Sequence, residues 1–331
     1  MHSAMLRGLS AVAVLLATAS AQAQTTGKPP VPVSIRFGYA ATGNDTMWVY
    51  GRDKGFFREE GLDVEFREGK GSAATAQTVA AGTDDFGIDI DGGTFITLAA
   101  KGLTAKAVMA PVAKSPMVIL SPADKPVKSP TEMAGKQIAI AGGSGAATLM
   151  PVLLHKNNVD VDKVGLVNMQ SSPLLTTLLT GRVDGVATNI VVQATLKAKG
   201  LDTFALRYAD FGLDMPGQYL IASNAYLDAH PDVAPRLVRA LQKSMQATLD
   251  DPEAAANAFH AAYPSYDVST ALAETKIISS LFRSKNTEGK PLGTVSLEDA
   301  RAGAKSLAEA GQLPADFDVS TVVTDRYVEA K

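Results

Sequence analysis

The sequence predicts an α/β protein made of two doubly wound lobes. Short apolar strands alternate with helices along the first two thirds of the chain, which is typical of a wound sheet covered by helices. The same strand-loop-helix order begins again near residue 137, with similar helix starts. A length of 331 residues also fits about two domains.

The first set of elements runs from about residue 33 to residue 111. Val33, Ile35, Phe37 and Tyr39 alternate with less apolar residues, as in a strand with one buried face. The other predicted elements of this set are a helix over Thr46–Phe57, strands over 62–66, Phe86–Ile90 and Ala105–Pro111, and helices over 73–81 and from Thr94 to about Lys101.

The second set repeats this design. Its predicted elements are strands over Gln137–Ala141, Val164–Met169 and Gly185–Thr188, with helices over 146–156 and from Ser171 to Gly181. In both sets an apolar helix ends at a glycine, Gly82 or Gly181, and a Gly-x-x-Asp turn leads into a buried strand. We interpret the sets as two similar lobes, with generic strand-helix alternation as the alternative. Beyond about residue 222 the pattern becomes mostly helical, as in the amphipathic segment Pro231–Asp250.

Composition excludes several classes of function. Lys and Arg total 31 against 34 Asp and Glu, so the chain has a net charge of −3 and no basic field for non-specific nucleic-acid binding. The chain contains no cysteine. Disulfide frameworks, thiolate zinc sites, iron–sulfur clusters, cysteine nucleophiles and cysteine lipid anchors are therefore excluded.

The first 23 residues have the pattern of a cleavable signal peptide. A weakly positive start with Arg7 precedes a short apolar run from Leu9 to Ala17, and Ala21-Gln22-Ala23 is an A-x-A cleavage site. The run is too short to cross a bilayer, and no later stretch is long and apolar enough to do so. We therefore expect an exported, soluble protein.

Catalytic and cofactor motifs are incomplete in this chain. Gly69-x-Gly71-x-x-Ala74, followed by Asp89 and Asp91, is a partial dinucleotide-binding motif, but it does not stand at the start of its domain. Gly142-x-Ser144 begins like a nucleophile elbow and then has Ala146 where the second glycine belongs. The four histidines are isolated, and the acids near Asp91 lack the downstream glutamate of a calcium loop. We expect no catalytic residues, no metal and no cofactor.

Small polar residues occupy the loops that follow the predicted strands. In open α/β sheets ligands bind outside the carboxyl ends of the strands, and helix N-termini there offer free N–H groups. Capping of their own helices is the structural alternative for these Ser and Thr residues. The candidate ligand-binding residues of these loops are Thr42, Gly43, Asn44, Gly71, Ser72, Asp91, Gly92, Thr94, Gly143, Ser144, Gly145, Ser171 and Asn189.

One segment resembles a known family. Trp48 to Val64 reads WVYGRDKGFFREEGLDV and is similar to the A-x-x-x-G-F-F-x-x-E-G-L-x-V segment of periplasmic solute-binding proteins of ABC importers. The similarity continues through AGTDDFG at 81–87, SPTEMAGKQI at 129–138 and NAYLDAHPD at 224–232. The resemblance is to the nitrate, sulfonate, taurine and thiamine-precursor type, and it covers essentially the whole chain after the signal segment.

This resemblance implies a type II periplasmic-binding-protein fold with a ligand cleft between the lobes. The first lobe would comprise roughly 33–117 plus 222–331, and the second 118–221. Crossovers between the lobes would lie near Pro116–Leu120 and Gln218–Ala222.

The resemblance also places the loops at 42–44, 71–72 and 143–145 at the ligand. Asp45 and Asp91 add negative charge near the expected cleft, which indicates a ligand with hydrogen-bond donors, and Lys70 is available to balance one of them. Trp48 is a candidate for stacking on a ligand ring, with the hydrophobic core as the alternative.

The expected function is periplasmic capture of a small organic solute and its delivery to an ABC permease by hinge closure. The solute would be a sulfonate-, taurine- or carboxylate-like anion that bears donor groups, and the protein a monomer. An aminopyrimidine, thiamine-precursor or aromatic ligand is an alternative. Presentation of the solute to a receptor also stays open. A pyrimidine-synthase-like enzyme is a lesser alternative, because such enzymes use a cysteine-rich motif that this chain lacks.

Overall fold

The computed structural model describes residues 29–328, which form two five-stranded mixed sheets with helices on their faces. The segment interpreted as a signal peptide lies outside the described residues. The strands are β1 Val31–Arg36, β2 Leu62–Arg67, β3 Phe86–Asp91, β4 Ala105–Val112, β5 Met117–Pro122, β6 Gln137–Ala141, β7 Gly165–Met169, β8 Gly185–Asn189, β9 Thr203–Arg207 and β10 Gln218–Ser223.

Twelve α-helices connect and cover these strands within the described range. They are α1 Thr46–Asp53, α2 Phe56–Glu59, α3 Ser72–Ala80, α4 Gly92–Ala100, α5 Gly145–Lys156, α6 Ser171–Leu179, α7 Val192–Ala198, α8 Asn224–Ala229, α9 Val233–Asp250, α10 Pro252–Ala262, α11 Val268–Ser279 and α12 Leu297–Glu309. None of the helices described in this part of the chain is long and apolar enough to cross a membrane.

The two sheets have the same strand order. The first is β2-β1-β3-β10-β4 and the second is β7-β6-β8-β5-β9. In each sheet three parallel strands are followed by a fourth position that runs antiparallel to its neighbours, filled by β10 in one and β5 in the other. The α/β class and the two doubly wound lobes predicted from the sequence are therefore confirmed.

The chain passes between the sheets twice, through residues 113–116 and 208–217. The segments expected as crossovers, Pro116–Leu120 and Gln218–Ala222, lie mostly within strands β5 and β10. The residues that cross between the sheets come just before each of these strands. Met117, Val118 and Leu120 are buried because β5 is flanked by β8 and β9. The lobe limits 33–117 plus 222–331 and 118–221 stay a prediction.

One predicted helix is divided into two. The pattern over Thr46–Phe57 predicts a continuous helix, but α1 ends at Asp53 and α2 begins at Phe56. Gly55 between them has a φ of 81°, a left-handed conformation that glycine adopts without steric cost. Gly82 and Gly181 are left-handed in the same way, which agrees with the predicted helix ends.

Candidate functional site

The two lobes touch through the loops that follow β2, β3 and β6. The Ala73 N–H donates to the Gly143 carbonyl oxygen at 3.4 Å. A Cβ on Gly145 would lie 2.5 Å from the Cβ of Asp91 and 2.9 Å from its Oδ2. Glycine at position 145 is thus what lets the second lobe approach the Asp91 carboxyl.

The end of β3 fixes Asp91 against this contact. Asp91 is the N-cap of α4, and its Oδ1 accepts from the Thr94 N–H at 2.9 Å. Ser72 Oγ donates to the Asp89 carbonyl oxygen at 3.1 Å, which ties the start of α3 to β3. The Gly92 N–H donates to the Gly217 carbonyl oxygen of the second crossing segment. Asp91 Oδ2 is left buried and without a hydrogen-bond partner.

A second group of acids lies between β3 and the loop after β1. Asn44 Nδ2 donates to Asp89 Oδ1 at 2.8 Å and to Asp45 Oδ1 at 3.4 Å. Asp45 Oδ2 accepts from the Thr42 N–H, and Thr42 caps this short 3-10 turn. Asn44 thus bridges the Asp45–Asp89 pair, and burial together with the nearby Asp89 charge disfavours ionisation of Asp45 and raises its pKa.

Asp89 is held in an unusual backbone conformation. Its φ is 58°, and Ile88 and Asp89 together stand opposite Leu220 because the register of β3 with β10 shifts there. Such a bulge redirects a side chain, and bulges are enriched beside functional sites. Left-handed backbone is uncommon outside glycine, although Asp tolerates it better than most residues.

Burial governs the ionisation of these groups. Burial raises the pKa of Asp91 to about 6, and it raises the pKa of Asp45 well above the ordinary range, with the neighbouring Asp89 charge raising it further. Burial also raises the pKa of Asp89. Burial raises the pKa of Tyr39 to about 12, and the nearby Asp91 charge adds to this shift.

Glu274 makes a second link between the lobes. Its Oε2 accepts from the Gly43 N–H at 2.8 Å and from the Tyr266 hydroxyl at 2.7 Å, and its Oε1 accepts from the Thr195 hydroxyl of α7 at 2.5 Å. A Cβ on Gly43 would lie 2.6 Å from the Glu274 Cβ, so the first loop packs directly on α11. Burial raises the pKa of Glu274.

Three of the candidate residues lie elsewhere or face other partners. Trp48 is 0% exposed and packs edge-on against Phe66 in the core, which is the alternative that the sequence left open. Ser171 is exposed at the start of α6. Asn189 is the last residue of β8, and its Oδ1 accepts from the Val191 N–H. The structure brings the remaining candidates to the lobe contact or to the acidic groups beside it, and their ligand roles stay a prediction.

Sequence reasoning missed Tyr39, Thr195 and Glu274, and considered Asp89 only for incomplete dinucleotide and calcium motifs. A readable signal existed for Glu274. On α11 the buried positions include Thr270, Ala271, Glu274, Thr275 and Ile278, so a glutamate interrupts the inward face of the helix. No group of three or more side chains between residues 29 and 328 is arranged to hold a metal ion.

Residues 43–255 match the model of the family described as NMT1/THI5 like. The chain belongs to this family. A Brucella abortus (strain 2308) protein named as a binding protein is 24% identical over 226 residues, which covers 67% of this chain and 69% of that protein.

Solved structures share the fold of this NMT1/THI5-like chain. The alkanesulfonate-binding protein of Xanthomonas axonopodis pv. citri bound to MOPS has a TM-score of 0.70 at 16% identity, over 90% of this chain and 100% of that one. The periplasmic nitrate-binding protein of Synechocystis PCC 6803 has a TM-score of 0.69 at 12% identity, over 90% and 87%. The resemblance to periplasmic binding proteins and the expected two-lobed binding-protein fold are confirmed.

Proposed function

We propose that this protein captures a small organic solute between its two lobes in the periplasm and delivers it to an ABC permease. The observation that carries the proposal is the contact of Gly145 with Asp91, where polar loops of two separate sheets meet. A solute that contacts both faces favours the closed arrangement, since it binds that state better than the open one. Family membership and the names of the structural relatives support the same role.

A binding role, and not catalysis, fits the chemistry of the cleft. The polar groups that meet there are carboxyls, hydroxyls, amides and backbone N–H groups. Of the histidines in the described chain, His155 is exposed, His230 packs on the Tyr226 ring, and His260 is hydrogen-bonded to the Tyr266 carbonyl oxygen. We expect the protein to work as a monomer. It meets the permease transiently, because the solute is released when the lobes reopen.

The solute bears hydrogen-bond donors, as Asp45 and Asp91 indicate. Both side chains are 2% exposed, and buried carboxylates repel a bare anion such as nitrate. An anion that also carries an amine, such as taurine, or an aminopyrimidine meets this requirement better. The helix starts at Ser72 and Gly145 supply N–H groups for any anionic end of the solute.

Binding and closure are both measurable on the mature protein. Thermal shift and calorimetry would use taurine, alkanesulfonates, nitrate, aromatic carboxylates and aminopyrimidines, and a ligand at 100 times its Kd adds about 2.7 kcal/mol of stability. Because the chain has no cysteine, Lys70→Cys with Ser172→Cys gives one exposed label on each lobe. A distance between spin labels that shortens with ligand supports the proposal. Binding with no change in that distance contradicts the closure step.

A further inference from the structure

Three buried acceptors near the lobe contact lack a hydrogen-bond partner, as do the hydroxyls of Tyr39 and Tyr219. Asp91 Oδ2 is one, and Asn44 Oδ1 is another, with their residues 2% and 5% exposed. Gln218, which pairs with Asp91 across β3 and β10, leaves its Oε1 unpaired as well. Buried polar atoms in native proteins are almost always hydrogen-bonded, so this part of the site calls for donors supplied by something else.

The orientation of Asn44 is fixed by its neighbours. Its Nδ2 donates to both Asp89 and Asp45, and the opposite orientation would place the amide oxygen against two carboxyl groups. Asn44 Oδ1 is therefore a genuine unpaired acceptor. Asp91 Oδ2 faces Gly145 of the other lobe, which is the place where a bound solute would be covered.

No basic side chain balances this group of acids. None of the ion pairs formed between residues 29 and 328 includes Asp45, Asp89 or Asp91. Arg36, the arginine of the neighbouring strand β1, is committed to Asp84 and to the Glu68 carbonyl oxygen. Burying carboxylates without a counter-charge is costly, and either protons or a cation must meet them.

We propose that the cleft selects a solute with a positively charged nitrogen, a protonated amine or amidine. Its N–H groups donate to Asp91 Oδ2 and Asn44 Oδ1, and the Asp45–Asp89 pair meets its charge. The proposal rests on the proposed function and narrows the solute to one chemical class. In this complex the Gly143-Ser144-Gly145 loop covers the solute and brings N–H groups to any acceptor at its far end.

The test uses sets of probes that match in size and differ in charge. One set is benzamidine, benzamide and benzoate, a second is propylamine, propionamide and propionate, and a third is taurine with ethanesulfonate. The cationic or amine-bearing member of a set is expected to give the largest rise in Tm at pH 7. Asp91→Asn should weaken its binding more than tenfold, since a hydrogen bond to a charged group is lost. Asp124→Asn removes the same charge from an exposed turn of the second lobe and should leave affinity unchanged.

The pH dependence of binding distinguishes a cationic solute from a solute with acceptor groups. A cation binds more tightly from pH 5 to pH 7 as the carboxyls ionise, whereas an acceptor ligand held by protonated carboxyls binds more weakly. Tyr39, Tyr208, Tyr219 and Tyr263 face these carboxyls, and burial raises the pKa of each hydroxyl further above this range. Burial also raises the pKa of Glu274, which accepts from the neighbouring Gly43 N–H, so its carboxyl belongs with those of the three aspartates in this titration.

The possible outcomes distinguish failure of the cation proposal from failure of solute capture itself. If benzoate, propionate or ethanesulfonate stabilises the protein more than its partner, or if its affinity falls with rising pH, the inference is overturned and solute capture stands. An unchanged affinity in Asp91→Asn also overturns it. If no probe changes the Tm or the distance between the lobes, solute capture itself is contradicted.

Discussion

The two lobes share one frame and differ in what they bring to the cleft. After β3 the first lobe places Asp91 at the N-cap of α4, and after β1 it places Asn44 and Asp45. At the corresponding positions the second lobe has Asn189 at the end of β8 and Gly143-Ser144-Gly145 after β6. The first lobe thus carries buried negative charge, and the second carries small neutral groups and backbone N–H donors.

The difference follows from what covers each set of loops. The helices α9, α10 and α11 pack on the start of the first lobe, and α11 lies against Gly43. That cover removes Asp45 from water, which leaves its carboxyl neutral or paired with an opposite charge. On the second lobe Gly143 is exposed, while Ser144 and Gly145 are buried, with Gly145 against Asp91 of the first lobe. We therefore expect the first lobe to set specificity and the second to serve closure.

The largest expected effect concerns the charge on the first lobe. Burial raises the pKa of Asp91 to about 6 in the folded protein, above the ordinary 3.8 of an exposed aspartate. A raised folded pKa means that stability is fully present below pH 3.8 and is lost as pH rises through about 6. Asp91 alone accounts for roughly 3 kcal/mol of this loss. Asp91→Asn keeps the helix cap and removes the loss.

This prediction is measured by urea unfolding of both proteins without ligand between pH 4 and pH 7. The difference between the two curves isolates Asp91, because the exposed acids contribute equally to both. Parallel curves would show that Asp91 is hydrated and ionises like a surface carboxyl. The two lobes would then differ far less than the structure indicates.

Closure by the second lobe is expected to depend on Gly145 nearly as strongly. In Gly145→Ala the new Cβ would lie 2.5 Å from the Asp91 Cβ, closer than real Cβ contacts come. Steric overlap of this kind costs about 1–3 kcal/mol, so affinity should fall about 5- to 150-fold by calorimetry. Stability without ligand should fall by no more than the cost of this overlap, since opening of the lobes relieves it.

Gly142→Ala is the matched control for that variant. A Cβ at Gly142 meets nothing within 4 Å, and its φ is not in the left-handed region. Gly142→Ala should bind and close like the parent protein. An equal loss of affinity in both variants would assign the effect to loop flexibility and not to the contact with Asp91.

The hydrogen bond between Thr195 and Glu274, which also links the lobes, is expected to contribute less to affinity. Thr195→Val keeps the shape of the side chain but removes the hydroxyl that donates to Glu274 Oε1. A hydrogen bond to a carboxylate is worth about 1.5–3 kcal/mol. Because Thr195 is partly exposed, we expect the lower end of this range and a fall in affinity of about tenfold. Thr195→Ser retains the hydroxyl and should restore affinity. If Thr195→Ser binds as weakly as Thr195→Val, the methyl group and not the hydroxyl supports closure.

Sequence patterns predicted the frame better than the contents of the cleft. Strand alternation and the glycines at 82 and 181 are local signals, and they indicated both lobes correctly. The pairing of Glu274 with Gly43 joins residues 231 positions apart, and no local pattern records such a contact. The orientation of the Asp89 side chain was unpredictable for the same reason, because it depends on a bulge in the pairing of β3 with the distant strand β10. Charge at strand ends is readable from sequence, whereas its burial depends on tertiary packing.

The smallest expected effect tests whether Ser144 serves its own helix or the cleft. Ser144 is the N-cap of α5, with its Oγ accepting from the Ala147 N–H at 3.1 Å, the counterpart of Asp91 on α4. Loss of a serine cap costs about 1 kcal/mol, so Ser144→Ala should lower the free energy of unfolding by that amount in urea titrations. Ser144→Thr keeps an oxygen at the cap and should recover most of the loss. A change in affinity with unaltered stability would instead assign this hydroxyl to the solute, and the second lobe would then contribute to specificity as well as to closure.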